Sequence, residues 1–347
     1  MGYRIGQSTR QMGFCYNILI PTYDLLQQED MGKSGMRRIK VASLFSGCGG
    51  MDLGFRGGFN FLGHRYVRNA FDVVWANEIN ADACKTYRRN LGEVVNADIN
   101  EVIDDVPRDV DVIIGGFPCQ DISINGKMLG LQGKRSSLYR VMVEVIRRVK
   151  PKVFIAENVG SLMMKCHDAA RETILRDFSS IGYNVHCQVY HAEDFGVPQT
   201  RERVFIVGTR KGMPTFTPPR QTTHEKQITA KQALGDLEKL PMSKELSHIW
   251  SLAKPSGEQG SRRLVADRPG YTMRAECHGN IQFHYALPRR ISMREAARIQ
   301  SFPDDFLFPV GIRATERQIG NAVPPVLAWH VARSVQRLFK QEAGKRQ

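Results

Sequence analysis

Six short runs rich in β-branched and apolar residues recur through the first 210 residues: Val41 to Phe45, Val73 to Ala76, Val110 to Ile114, Val153 to Ala156, Val185 to Val189 and Val204 to Val207. Helical patterns separate them, and that alternation is the sequence form of βαβ units around a parallel sheet. The clearest helix places Leu138, Val141, Met142, Val145, Ile146 and Val149 on one face, at i, i+3, i+4, i+7, i+8 and i+11. It should stop before Pro151, which can neither donate its amide nor let the preceding residue stay helical. The expected class is α/β, with a mixed, mostly parallel sheet and helices on both faces.

The pattern changes near Lys211. Pro214, Pro218 and Pro219 crowd together and periodicity fades until Ser292, where Ser292-Met293-Arg294-Glu295 reads as a capping box. Pro324-Pro325 then opens a helix carrying Leu327, Val331, Val335 and Leu338 on one face. A chain of 347 residues exceeds one ordinary core. We therefore expect a catalytic domain over 39–209, a second domain with its hinge over 210–315, and a C-terminal segment, 316–347, returning to the first. Residues 1–38 carry no periodic signal and receive no role. No apolar run approaches the length of a membrane span, and the apolar stretch from Phe14 to Ile20 lacks a following small-residue cleavage site. Seven cysteines without a Cys-x-x-Cys pair suggest neither a disulfide framework nor a structural zinc site, so no metal is expected and the reducing cytoplasm is the expected compartment.

The chain's formal charge of +14 favours a polyanionic partner. Its placement adds to this: between Arg210 and Arg298 there are 16 basic and 8 acidic residues, so a net +8 lies in about a quarter of the sequence. A solubilising surface would also account for it.

Six segments carry candidate chemistry. Phe45-Ser46-Gly47-Cys48-Gly49-Gly50 follows a strand, where glycines permit a tight turn and close approach to a ligand; its G-x-G-G spacing differs from the G-x-G-x-x-G of pyrophosphate turns. Glu78, after the next strand, is placed for a ribose hydroxyl pair, and Asp98 for an exocyclic amine. Cys119, in Gly115-Gly116-Phe117-Pro118-Cys119-Gln120, lies just past a strand at the edge where open α/β sheets place ligands. A thiolate there could attack an electron-poor ring carbon. Glu157 opens onto the same edge, and a partly desolvated carboxyl could hold a proton near neutral pH. Arg201 and Arg203, in Gln199-Thr200-Arg201-Glu202-Arg203, share one side of an extended segment. A nicotinamide-dependent oxidoreductase would explain the sheet and Glu78, yet leaves Pro118-Cys119-Gln120 and Glu157 without a part.

Taken in order, these segments, with Arg294 to Pro303 and Gln318-Ile319-Gly320-Asn321-Ala322-Val323, resemble the DNA cytosine-C5 methyltransferase family of bacterial restriction–modification systems. The likeness spans residue 39 to about residue 340. It implies a Rossmann-like catalytic domain, a smaller target-recognition domain, S-adenosylmethionine as methyl donor with S-adenosylhomocysteine as product, and double-stranded DNA as substrate. Carried onto these positions, it makes Cys119 the nucleophile at C6 of a flipped-out cytosine, Glu157 the group at N3 and the 4-amino group, Arg201 the holder of the base and of Glu157, and Arg203 a support. Phe45, Gly47, Cys48, Gly50, Glu78, Ile79, Asp98, Ile99, Pro118, Asn321, Ala322 and Val323 would line the methyl-donor pocket. Gln120, Ser123, Arg262, Arg263, Arg274 and Asn280 are candidate DNA contacts, with Glu276, His278 and Gln282 also in the recognition segment, since Arg suits guanine and Asn or Gln suits adenine. Arg294, Glu295 and Arg298 would organise that domain. The resemblance further implies a monomer without membrane association in a bacterial cytoplasm, and a cognate restriction endonuclease acting on the same site. The tRNA-methylating branch carries the same machinery; the long basic segment favours DNA.

Overall fold

The computed structural model describes residues 37–117, 137–252, 262–275 and 282–345. Six strands form the main sheet: β1 (Ile39–Leu44), β4 (Phe71–Ala76), β5 (Val112–Gly116), β6 (Val153–Val159), β7 (Tyr183–His191) and β8 (Glu202–Arg210), in the order β4-β1-β5-β6-β8-β7. The pairs β1–β4, β1–β5 and β5–β6 are parallel, while β6–β8 and β7–β8 are antiparallel. All six sequence-predicted runs are strands of this sheet, and it is mixed and mostly parallel as expected. β6 and β8 extend beyond their apolar runs, so Glu157, Asn158 and Arg203 sit within strands.

Strand alternation sorts the core into two layers. Val41, Val112, Ile114, Val153, Ile155, Phe205 and Val207 face one layer, together with α1 (Gly50–Arg56), α6 (Met293–Ile299) and α8 (Pro325–Gly344). Ala42, Leu44, Ile113, Phe154, Ala156, Val204 and Ile206 face the other, covered by α3 (Ser137–Val149) and α4 (Asp168–Ser180). Val141, Met142, Val145, Ile146 and Val149 are buried there, the face read from sequence, and α3 ends two residues before Pro151. α2 (Ala81–Asn90) packs Cys84 and Tyr87 beside Ala76 and Val94. On the opposite layer α8 buries Leu327, Val331, Val335 and Leu338. It lies so close to α1 that a Cβ at Gly54 would stand 2.4 Å from that of Ala328.

One small element escaped sequence reading. β2 (Phe59–Phe61) and β3 (His64–Tyr66) form a hairpin around Leu62-Gly63, both at positive φ, the geometry of a tight two-residue turn. Its strands are too short to carry a period of two.

Between Lys211 and Ser292 the described residues hold one short helix, α5 (Ala230–Leu234), with isolated bridges and turns. Polar side chains replace regular backbone pairing there. Arg294, 2% exposed, donates to the carbonyls of Leu246, Pro303 and Phe306. Glu295, fully buried, accepts from Arg289 at 2.7 and 2.8 Å and from the Ser292 amide, closing the capping box of α6. Arg298 pairs with Asp236 and Asp304. α7 (Ile312–Asn321) follows, and leads through Ala322 into α8.

Candidate active site

In this strand order the chain leaves β1 for β4 on one side and returns to β5 on the other. That reversal opens a crevice beyond the carboxyl ends of β1 and β5, where open α/β sheets bind ligands.

The turn after β1 fills one side of the crevice. Phe45, Gly47 and Gly49 have φ of 54, 57 and 92°, a left-handed run that the glycines make cheap. Gly50 has no room for a side chain: a Cβ would lie 2.4 Å from the Val323 carbonyl oxygen and 3.2 Å from the Ala322 Cβ. The Gly47 amide donates to Glu78 Oε2 at 2.8 Å, and the Asn80 amide donates to Oε1 at the same distance. Glu78 is thereby fixed beside the turn while remaining partly exposed. Ile79 is 66% exposed, a large apolar side chain offered to solvent next to it. Asp98 is half-buried and accepts from the Asn100 amide at 2.9 Å, whereas Ile99 is 3% exposed and belongs to the core beneath. Cys48 is also buried, and burial pushes its thiol up to about 12, so it stays protonated and unreactive near neutral pH.

The other side of the crevice holds the acidic centre. Asn158 donates to the Phe117 carbonyl at 3.1 Å, fixing the backbone that leads into Pro118 and Cys119. Pro118, Cys119, Gln120 and Ser123 lie outside the described residues. Gly116 pairs with Glu157 in register, and a Cβ at Gly116 would stand 2.7 Å from Glu157 Oε2. The carboxylate therefore occupies the space a side chain would take. Arg203, across the antiparallel β6–β8 pair, places its Nε 2.8 Å from Glu157 Oε1, with both side chains 9% exposed. Burial raises the Glu157 pKa above the ordinary carboxylate range, against the opposing pull of Arg203 and Arg201.

Arg201 is held mainly by backbone carbonyls. Its guanidinium, 1% exposed, donates to the carbonyls of Met273 at 2.7 Å, Gly320 at 2.7 Å and Ala322 at 3.1 Å. Arg203, rather than Arg201, makes the direct pair with Glu157. Arg201 ties Met273 to the end of α7 and the loop after it, and two glutamines that sequence reading left without a role assist it. Gln199 accepts from the Met273 amide at 2.7 Å and donates to the Ile299 carbonyl, and Gln300 donates to the Ala322 carbonyl at 2.6 Å. Their motif positions could have flagged them; their partners, up to 101 residues away, could not be read. A cavity of about 380 Å³ opens beside these contacts, lined among others by Ser161, His191, Arg201, Glu202, Arg203 and Thr272.

The basic segment divides into structural and available cations. Arg263 donates to the carbonyls of His284 and Leu287, Arg289 lies 4.2 Å from the Trp250 ring centre, and Gln282 is 4% exposed with its amide on the Tyr271 carbonyl. Arg262 and Arg274 are exposed, the former stacked over Tyr271. Glu276, His278 and Asn280 lie outside the described residues. Among the described residues no cluster of three potential metal ligands occurs, and no helix is long and apolar enough to cross a membrane.

Known proteins are similar to this chain in sequence and in fold. Residues 39–254 and 251–337 match the family described as C-5 cytosine-specific DNA methylase. The chain is 35% identical to the Type II methyltransferase M.NgoFVII of Neisseria gonorrhoeae over 90% of each sequence. It is 33% identical to the Type II methyltransferase M.BbvI of Brevibacillus brevis, over 87% of this chain and 92% of that one. Its fold matches the solved Dnmt2 methyltransferase of S. pombe with a TM-score of 0.63 at 18% identity, covering 88% of this chain and 99% of the other. With sheet order, glycine turn, buried glutamate and full-length similarity in agreement, the chain belongs to the C-5 cytosine-specific DNA methylase family.

Proposed function

We propose that this protein methylates C5 of a cytosine within a specific duplex DNA sequence, as the protective enzyme of a Type II restriction–modification system. The observation that carries the proposal is Glu157: a buried carboxyl with a raised pKa, braced by Arg203 and packed on Gly116, at the strand edge from which the chain runs into Pro118-Cys119.

In this reading the Cys119 thiolate adds to C6 of the cytosine while Glu157 delivers its proton toward N3, so that negative charge does not accumulate in the ring. Addition at C6 makes C5 nucleophilic. S-adenosylmethionine, when bound, supplies the methyl group that C5 takes up. Loss of the C5 proton to solvent, departure of the Cys119 thiolate from C6 and return of the N3 proton to Glu157 restore the aromatic ring, leaving neutral 5-methylcytosine and S-adenosylhomocysteine. Because C6 is buried in the base stack, the nucleotide must be flipped out, at a cost of a few kcal/mol. The basic segment offsets the cost through phosphate contacts.

The described residues fit the methyl donor. Glu78, held by two backbone amides with its carboxylate partly exposed, suits a ribose diol; Asp98 suits an exocyclic amine; Ile79 offers an apolar surface to a purine. Gly47, Cys48, Gly50, Pro118, Asn321, Ala322 and Val323 would surround the rest. We assign catalysis to 39–209, target recognition and the hinge to 210–315, and closure of the pocket to 316–347. Arg262, Arg263 and Arg274 are the exposed described arginines of our assignment for reading DNA, with Gln120, Ser123 and Asn280 as further candidates. The enzyme would act as a monomer on DNA in the bacterial cytoplasm, beside an endonuclease of the same specificity.

Bisulfite sequencing of DNA from cells expressing the protein tests this directly. A single protected sequence context supports it; unmodified DNA, or methyl transfer to purified tRNA alone, refutes it.

A further inference from the structure

Folding turns inward much of the charge that the sequence places in the recognition segment. Arg290, Arg294 and Arg298 are buried there, and Glu295, Asp236 and Asp304 neutralise Arg289 and Arg298. A second cationic surface keeps its charge. Trp329, Arg333, Arg337 and Lys340, at i, i+4, i+8 and i+11, share the outward face of α8, opposite its buried Leu327, Val331, Val335 and Leu338. The segment from Val67 to Ala70 lies alongside: the Trp329 indole donates to the Val67 carbonyl at 2.9 Å, and the Ala70 amide donates to Gln336 Oε1 at 2.8 Å. It brings Arg68 and Arg38 to the same flank, Arg68 paired with Asp72 at 3.4 Å and Arg38 on the Asn69 carbonyl at 3.5 Å. Among the described residues Arg38, Arg333, Arg337 and Lys340 form no ion pair with a carboxylate.

The layout indicates what binds. Arg333 stacks 5.5 Å from the Trp329 ring centre, which fixes its guanidinium at the surface. The three α8 cations span about 10 Å of helix, too far apart to converge on one small anion. Duplex DNA presents one phosphate charge per roughly 1.7 Å of its axis, a line of anions that such a row matches. Helix α8 leaves the crevice at Pro325, and its last turns reach Lys152, just before β6, through Glu342 at 2.7 Å. The row therefore lies on the flank of the catalytic unit, away from the reacting base. We propose that this flank binds the phosphate backbone of duplex DNA outside the target site, whatever its sequence, and keeps the enzyme on DNA between encounters with that site. This rests on duplex DNA being the substrate.

The probe is a mixed-sequence duplex without the methylated context, titrated with the full-length protein from about 50 to 200 mM salt. Arg333→Gln, Arg337→Gln and Lys340→Gln together should make the slope of log affinity against log salt shallower by about 2 to 3, close to 0.9 for each lost phosphate contact. Arg333→Lys with Arg337→Lys keeps the charges and should keep the slope. The kcat for methyl transfer to a saturating target duplex should match the wild type in both variants. An unchanged slope in the glutamine variant, the same loss in the lysine variant, a lower kcat in both, or a loss seen with purified tRNA and not with the duplex would overturn the assignment. A wild-type protein that binds tRNA but no duplex removes the duplex-substrate reading itself, and this assignment with it.

Discussion

Arg203 and Glu157 face each other across β8 and β6, Nε to Oε1 at 2.8 Å, with 9% of each side chain exposed. The pair sets two opposing demands on one carboxyl. Burial favours the protonated form, and the guanidinium favours the anion. Burial is the larger influence, so Glu157 is raised above a surface glutamate.

Removing this cation should leave burial opposed by Arg201 alone. Arg203→Met is expected to raise the Glu157 pKa further, shifting the alkaline limb of the kcat pH profile upward. At neutral pH the rate should fall about 100-fold through lost orientation, and the protein should lose about 3–5 kcal/mol of stability, as when one partner of a buried pair is deleted. Steady-state rates across pH and urea denaturation check both; an unmoved pH profile would separate Arg203 from Glu157 titration.

Cys119→Ser should abolish methyl transfer while leaving duplex binding within about twofold, because the hydroxyl is far less acidic than the thiol and the DNA contacts are untouched. A filter assay with labelled methyl donor and a gel-shift titration are sufficient. Persistent turnover at the wild-type rate would take Cys119 out of the mechanism.

Gly50→Ala should damage the methyl-donor pocket from behind. Its Cβ would meet the Val323 carbonyl at 2.4 Å, and backbone must move to admit it. We expect a stability loss of about 1–3 kcal/mol from overpacking and a weaker affinity for S-adenosylhomocysteine, measured by calorimetry.

Asp52 offers a pH test independent of catalysis. It is 1% exposed, it accepts from the Tyr87 hydroxyl at 2.9 Å, and burial raises it from 3.8 to about 6. A carboxyl whose folded pKa lies above its unfolded value binds protons more tightly when folded, so stability falls as pH rises from about 4 to about 6. At roughly 1.4 kcal/mol per unit this amounts to about 3 kcal/mol. Asp52→Asn keeps an acceptor for Tyr87 and should flatten that slope. Denaturation at pH 4, 5, 6 and 7 reads it, and an identical slope in wild type and variant would contradict the assignment.

The sheet was legible in sequence because its central strands β1, β5, β6 and β8 are buried on both faces and carry near-continuous apolar runs, and α3 because six apolar residues share one helical stripe. The glycine turn, Glu78 and Glu157 could be placed because each follows directly on such a strand, and strand ends in this fold converge on one edge. The β2–β3 hairpin could not, since three-residue strands leave no period. Nor could the division of labour between Arg201 and Arg203. Two residues apart and alike in chemistry, they are separated by what lies across from them: Glu157 beside one, and the carbonyls of Met273, Gly320 and Ala322 around the other. The same holds for the basic segment, where sequence supplied the charge but only folding decided that Arg263, Arg294 and Arg298 are held by internal carbonyls and carboxylates. Local order follows from patterns within a dozen residues. Hydrogen-bond partners such as Arg201 and Ala322, 121 residues apart, follow from packing, where burial forces a guanidinium to find acceptors.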